Sequence, residues 1–342
     1  MMQRSKWKWL LLIAALLTGM AGLYAYHLVY ASNTLFTSAN SMLIYVHTSA
    51  DVEQWIHGDG QFVVKNEQTF LRAAKLKNMQ SIKPGRYRIK QGMCNNEMIN
   101  MLRIGAQEPV RIRIDDATTM YQLAARLGKY LKSDSMAFIR VFADELVCEQ
   151  YGFNANTIGS LVMPDTYDFF WTTTPQEFLE KMLDLHNNYW TEENKNKATR
   201  VGLSVAEVHT MASIVKAECV KKDEAPAIAG LYLNRLRIGM PLQADPTSVF
   251  AAGLRNVSRV SEKMTSVVSP YNTYKNKGLP PGPINFPETV YIDAVLNADV
   301  HTYIYMCAQP GATGYHNFTA DYSQHLKNRR AYTSWLNQKN IR

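Results

Sequence analysis

Glu218 is the residue of this chain best placed to move a proton. It ends Met211-Ala-Ser-Ile-Val-Lys-Ala-Glu218, an otherwise apolar helical pattern, and an unusually polar, turn-rich stretch follows it. Seven positions after Met211 and four after Ile214, it falls on the flank of the apolar face. A carboxyl there is partly desolvated. Desolvation favours the neutral form, and a neutral acid near pH 7 can protonate a glycosidic oxygen. Taken alone, the pattern more often marks a solvated or salt-bridged helix carboxylate, and the downstream residues reverse that balance. Downstream come Leu242-Gln-Ala-Asp-Pro246, Tyr271-Asn-Thr-Tyr274 and Gly278-Leu-Pro-Pro-Gly-Pro-Ile-Asn285, whose amide, hydroxyl and aromatic groups suit a sugar polymer. Prolines and glycines fix these loops, so Asn272, Tyr274 and Asn285 can offer hydrogen bonds at little further ordering cost. Each loop alone is an ordinary turn; with a lone helical Glu they outline a cleft.

The elements that must hold these residues are legible in part. Ser204-Val-Ala-Glu207 reads as a capping box, and Val208, Met211, Ala212 and Val215 recur at helical steps. A second helix, Ala225 to Arg237, ends near Gly239 and delivers Asn234 and Arg235. Upstream, Val110 to Ile114 alternates as a strand, and Thr119 to Leu131 and Ser135 to Glu149 read as helices. Gly152 to Met163 is looser. Pro164-Asp-Thr-Tyr167 is a turn before the helix Pro175 to Trp190, and Glu192 to Arg200 is a polar surface segment. Nearer the N-terminus, Ser41 to His47 and Arg86 to Lys90 read as strands, with Glu67 to Leu76 and Asn95 to Arg103 as helices. The fold class is therefore α+β: a small α+β module over 32–109 and a mixed α/β catalytic domain over 110–342, behind an anchor over 1–31.

That anchor is a membrane span. Trp9 to Tyr30 holds twenty-two residues without Asp, Glu, Lys or Arg, enough to cross a hydrocarbon core of about 30 Å. Arg4, Lys6 and Lys8 precede it and the first acidic residue is Asp51, so the positive-inside rule puts the N-terminus in the cytoplasm and the rest outside. Trp7, Trp9, Tyr24, Tyr26 and Tyr30 fit interfacial aromatic belts. Val29-Tyr-Ala31 also resembles a signal-peptide cleavage site, but the apolar stretch exceeds a signal h-region. Ser32 to Asn40 reads as a polar spacer. The net charge of +8 comes with no long basic run and no nucleic-acid motif, so no nucleic acid is expected. Cys94, Cys148, Cys219 and Cys307 form no C-x-x-C pair, so no metal site is expected; three disulfide pairings or four buried thiols remain open.

With these residues in view, the sequence resembles the YceG-like, MltG-type endolytic murein transglycosylases. The resemblance is carried by Ala212 to Glu218, Tyr232-Leu-Asn-Arg-Leu236, Gly239 to Thr247, Tyr271 to Tyr274, Gly278 to Asn285, Tyr315-His-Asn-Phe318 and His325. Pro164-Asp-Thr-Tyr167 and Lys83-Pro-Gly-Arg-Tyr87 fit in the same order. It departs from the family at Lys216 and at Gly159-Ser160 and Asp115-Asp116, where Glu and Glu-Gly are usual. Lys216 falls on the polar side of the helix, where its ammonium would favour an ionised Glu218.

The resemblance implies a single-pass inner-membrane enzyme with a LysM-like module, a periplasmic catalytic domain, no cofactor, and peptidoglycan strands as substrate, working near synthases of the penicillin-binding-protein type. Glu218 takes the place of the catalytic acid. One carboxyl suffices if the C6 hydroxyl of N-acetylmuramic acid attacks C1 of its own ring. Gln243, Asn272 and Tyr274 are then expected to orient the sugar, with Asn234, Arg235, Asp245, Asn285 and His316 as further contacts. Arg235 and Asp245 fit a structural ion pair equally well, and His316 and His325 fit satisfied structural histidines. A water-using muramidase needs a second carboxylate, for which Asp245 is the candidate; a membrane-tethered glycan-binding scaffold needs no reaction at all.

Overall fold

The computed structural model describes residues 2–36, 40–114, 117–255, 257 and 260–339, with side chains from Trp7 onward. Asp115 and Asp116 lie outside the described residues. The chain forms two compact units. The first holds Met1–Arg111, Tyr130–Lys132 and Asp168–Thr173; the second holds Ile112–Lys129, Ser133–Tyr167 and Thr174–Arg342.

The first unit begins with the helix Met2–Tyr30, whose segment Trp7–Tyr30 is long and apolar enough to cross a membrane. Two antiparallel strands, Ser41–Val46 and Gly85–Lys90, pair from Ser41 opposite Lys90 to Val46 opposite Gly85. Alternation along Gly85–Lys90 sends Tyr87 and Ile89 inward, where they meet Phe70, Met98, Ile99 and Leu102, all fully buried. Each such side chain stabilises the module by about 1.5–3 kcal/mol. Between the strands come the helices Val52–His57 and Glu67–Leu76, N-capped by Asp51 and Asn66. The helix Asn95–Ile104 follows and stops at Gly105, whose φ of 78° lies in the left-handed region.

The stretch after the anchor is not the spacer its polarity suggests. Asn33 is 4% exposed; its side-chain amide donates to Asn95 Oδ1 at 2.7 Å and to the Asn66 carbonyl at 2.9 Å, and its Oδ1 accepts from the Asn66 amide at 2.8 Å. Asn95 in turn donates to the carbonyl of Leu28, itself buried in the module's core, and Arg72 reaches the Tyr24 hydroxyl at 2.7 Å. Asparagine supplies donors and an acceptor that let the backbone change direction without orphaned polar groups.

In the second unit the expected helix spans Val205–Glu218, with Ser204 and Glu207 forming the capping box. Its burial differs from the expected single stripe: Val208 to Val215 are buried without a break. The helices Ala225–Arg237, Asp245–Ala251 and Thr289–Leu296 pack round it. Most of its buried polar groups are matched, with Thr210 Oγ1 donating to Ala206 O, Ser213 Oγ to Thr210 O, and Trp190 Nε1 to His209 Nε2, while His209 Nδ1 is buried without a partner.

Several elements differ from the sequence expectations. Ser135 to Glu149 is two helices, Ser135–Ala143 and Glu145–Gln150, because Asp144 caps the second by accepting from Leu146 and Val147. Glu192 to Arg200 is helical, as Glu192–Val201, with Thr191 capping one end and Gly202 the other; only Ala198 is buried, so no apolar period announced it. Thr166 and Tyr167 open a strand, Thr166–Phe169, rather than closing a turn. Near the C-terminus an antiparallel hairpin, Tyr305–Ala308 with His316–Thr319, precedes the helix Tyr322–Gln338. All four cysteines are unpaired thiols.

Candidate active site

Glu218 ends its helix, and the chain turns extended at Cys219. Its Oε1 accepts a hydrogen bond from the Tyr232 hydroxyl at 2.8 Å. Tyr232 is 1% exposed and sits on Ala225–Arg237, so it brings a rigid donor to the carboxylate. Part of Glu218 reaches solvent, yet protein atoms fill the volume round its carboxyl, as on a cleft wall. That burial pushes Glu218 from the ordinary 4.5 up to about 7; the Tyr232 hydroxyl pulls it down, the Asp245 charge raises it, and Arg235 lowers it. Burial wins because one hydrogen bond and one cation offset only part of the lost hydration.

Asp245 begins the helix Asp245–Ala251 and is exposed; its Oδ1 accepts from the Tyr274 hydroxyl at 2.6 Å. Burial, then the Asp245 carboxylate, hold the Tyr274 phenol well above its usual range. Gln243, two residues earlier, is exposed with φ 48°, a left-handed conformation costly for a residue with a side chain. Its backbone amide donates to Thr273 O at 3.2 Å, while its side-chain amide has no hydrogen-bond partner among the described residues.

Arg235 makes no ion pair with Asp245 among the described residues. Its Nε donates to Ile304 O at 2.7 Å and its Nη1 to Leu242 O, at 7% exposure. It thus ties the hairpin and the Gln243 loop to the helix beside Glu218 while supplying positive potential. Three predicted asparagines turn inward. Asn272 is fully buried, donating to Thr265 O and Val267 O and accepting from the Tyr274 amide. Asn234 donates to His301 O and Tyr303 O. Asn285 donates to Ser213 O at 2.7 Å, stapling the Pro-Gly loop to the Glu218 helix, while its Oδ1 is buried without a partner. His316 binds Glu224 twice, through its amide and Nδ1. His325 stacks on Tyr305 with ring centroids 5.1 Å apart.

The structure therefore brings Glu218, Tyr232, Arg235, Asp245 and Tyr274 into one electrostatic group. Tyr232 and Glu224 were not singled out from the sequence. Tyr232 lay within a quoted motif, fourteen residues after Glu218, and only the packing of the two helices reveals the contact. Lys216 is not loose on the rim: its Nζ donates to Phe286 O at 2.9 Å and pairs with Glu288 at 2.8 Å, and it is not among the charges that set the Glu218 proton affinity. A mainly apolar cavity of about 310 Å³ opens among Phe142, Phe250, Tyr271 and Phe286, elements that adjoin the Asp245 and Asn285 loops. Among the described residues no group of three or more His, Cys, Asp or Glu could hold a metal ion.

The chain is similar to known proteins over most of its length. The chain is 31% identical over 292 residues to a Bacillus subtilis protein named endolytic murein transglycosylase, covering 81% of this chain and 80% of that one. A Streptococcus pneumoniae protein of the same name is 29% identical over 302 residues, 77% of this chain; the chain spans 54% of that protein's length. A crystal structure of a yceG-like protein from Listeria monocytogenes shares the fold, with a TM-score of 0.56 at 24% identity over 84% of this chain and 98% of that one. The YceG-like family model matches residues 49–331, a range containing Glu218 and every side chain grouped round it, and the chain belongs to that family.

Proposed function

We propose that the protein is an endolytic lytic transglycosylase of peptidoglycan, with Glu218 as its single general acid and base. The observation that carries this reading is a carboxyl held near neutrality by burial, with a rigid Tyr232 donor, in a chain related to proteins named for that activity. In the reaction, Glu218 gives its proton to the glycosidic oxygen as the bond from C1 of N-acetylmuramic acid to the N-acetylglucosamine oxygen breaks. The C6 hydroxyl oxygen of the same muramic residue bonds to C1, and its proton passes to the Glu218 carboxylate. A 1,6-anhydro end forms, the acid is restored, and no water is consumed. Nucleophile and electrophile share one ring, which gives the proximity advantage directly.

In this reading Asp245 and Tyr274 face the positive charge that develops at C1, and Gln243 meets an N-acetyl or hydroxyl group; the exposure of Asp245 and Gln243 and the Tyr274–Asp245 bond support it. Asn234, Asn272 and Asn285 act by fixing loops, since their amides are committed to backbone carbonyls. Asp245 also supports a second reading, a muramidase in which it activates water as the second carboxylate. Mass spectrometry of digested murein separates the readings. Anhydro ends support the transglycosylase, reducing ends the muramidase, and uncut strands a binding scaffold.

Around this chemistry we place the rest of the chain. Two helices between antiparallel strands, with a short second pair, Ala50–Asp51 and Ser81–Ile82, flanking them, support a LysM-like module that contacts glycan. Charge before the apolar helix supports a single span in the inner membrane with the N-terminus in the cytoplasm and the catalytic unit in the periplasm. Placement at that face raises the enzyme's effective concentration on strands leaving membrane-bound synthases of the penicillin-binding-protein type, whose elongation it would end.

A further inference from the structure

The loop that leaves Glu218 has little of its own to hold it. Cys219 to Asp223 form no long element, and Val220 is 73% exposed. The hold comes from the C-terminal hairpin. The His316 amide donates to Glu224 Oε1 at 2.7 Å, and His316 Nδ1 lies 2.7 Å from Glu224 Oε2, with the two side chains 12% and 7% exposed. One residue before His316, the Tyr315 hydroxyl donates to Asp223 Oδ2 at 3.0 Å, and Lys221 Nζ stands 5.8 Å from the Tyr315 ring centroid. Gly314 lies so close that a Cβ there would meet Val220 Cγ1 at 3.0 Å.

Glu224 also directly precedes Ala225, the first residue of the helix that carries Tyr232 and Arg235. A single carboxylate therefore pins both the exit from Glu218 and the entry to its hydrogen-bond donor. From this geometry we infer that Glu224 and His316 form a positioning clamp, which keeps the Glu218 carboxyl against Tyr232 and largely desolvated without touching the substrate. The inference rests on the reading of Glu218 as the general acid. The clamp explains why the hairpin is gripped twice, since Arg235 Nε holds Ile304 O at the foot of its other strand. Removing the His316 ring leaves Glu224 Oε2 buried without its partner while the amide bond to Oε1 remains, and the cheapest relief is for the loop to shift outward and hydrate that oxygen.

The test compares His316→Ala, His316→Asn and Tyr315→Phe in the full chain, reading kcat, KM and the pH profile of anhydro-end formation on purified murein. The groups facing Glu218 are Tyr232 and Arg235 from one helix, Asp245 from another and Tyr274 from the loop that bonds Asp245, and all four remain in every variant. Hydration then moves the alkaline limb of activity from about 7 toward the ordinary 4.5. His316→Ala should lower kcat by about 10-fold to 100-fold with KM little changed and shift that limb to lower pH. His316→Asn keeps a donor near the Nδ1 position and should restore both. Tyr315→Phe removes one hydroxyl from an otherwise intact chain, so it decides the matter should His316→Ala fail to fold: a limb moved in the same direction supports the clamp, and an unmoved limb overturns it. A raised KM at unchanged kcat in His316→Ala also overturns it, because that marks a substrate contact. If wild-type enzyme makes no anhydro ends, or Glu218→Gln retains turnover, the function reading fails instead, independently of these variants.

Discussion

Replacing Glu218 by Gln should abolish cleavage and, at alkaline pH, make the protein more stable. The carboxyl has an ordinary value of 4.5 and stands at about 7 in the folded chain. The folded state therefore holds the proton more tightly than the unfolded state. Below 4.5 both states are neutral and the residue costs nothing. Between 4.5 and 7 the unfolded chain ionises first, so stability falls as pH rises, and above 7 the full penalty of an ionised, desolvated carboxylate remains. A difference of about 2.5 units corresponds to an upper bound of about 3 kcal/mol, reduced because part of the residue reaches solvent. Gln fills nearly the same volume and never ionises. The variant should thus match wild type at pH 4 and gain roughly 2 kcal/mol at pH 8, several degrees in Tm. The same setting accounts for activity. At pH 7 about half of the Glu218 population is protonated, against about 0.3% at the ordinary value, so burial supplies roughly a hundredfold more competent acid. Thermal melts of both proteins in detergent at pH 4 and 8, alongside turnover on murein, check the argument. A stability difference independent of pH, or a loss of stability at pH 8, would refute the desolvation of Glu218.

Tyr232→Phe removes the bond that lowers the Glu218 value, so the alkaline limb of the rate profile should move to higher pH, read by anhydro-end formation between pH 5 and 9. Arg235→Met strands the carbonyls of Ile304 and Leu242 and should cost about 2–5 kcal/mol in denaturant unfolding, while removing a cation that favours ionised Glu218. Gln243→Gly relieves a positive φ and should add about 1 kcal/mol of stability, yet raise KM for glycan if its amide meets the sugar.

The acid helix was legible because it obeys local rules: Ser204 and Glu207 cap it, and Met211, Ala212 and Val215 carry the period. What was not legible is how far side chains travel to close the site. Glu224 and His316 are 92 residues apart and Lys216 and Phe286 are 70 apart, and no period links either pair. The Asn residues misled for a physical reason. A short amide side chain can tie one segment to the backbone carbonyls of another: Asn272 holds Thr265 O and Val267 O, at and beyond the end of the short helix Glu262–Thr265, and Asn285 holds Ser213 O on the Glu218 helix, so both turn inward instead of facing a ligand. The Tyr232 contact with Glu218 depends on the phase of two packed helices, which neither helix fixes alone.

The bonds at the C-terminal end of the apolar helix have a torsional consequence. Because Asn95 holds the Leu28 carbonyl and Arg72 holds Tyr24, the helix enters the first unit as a shaft enters a hub, with no swivel between them. One residue inserted between Tyr24 and Leu28 would turn everything below it by about 100° and shift it by about 1.5 Å. Either Arg72 then loses Tyr24 or the whole unit rotates on its stem. Whatever face the helix presents to a neighbouring helix thereby fixes the compass bearing of the module at its end.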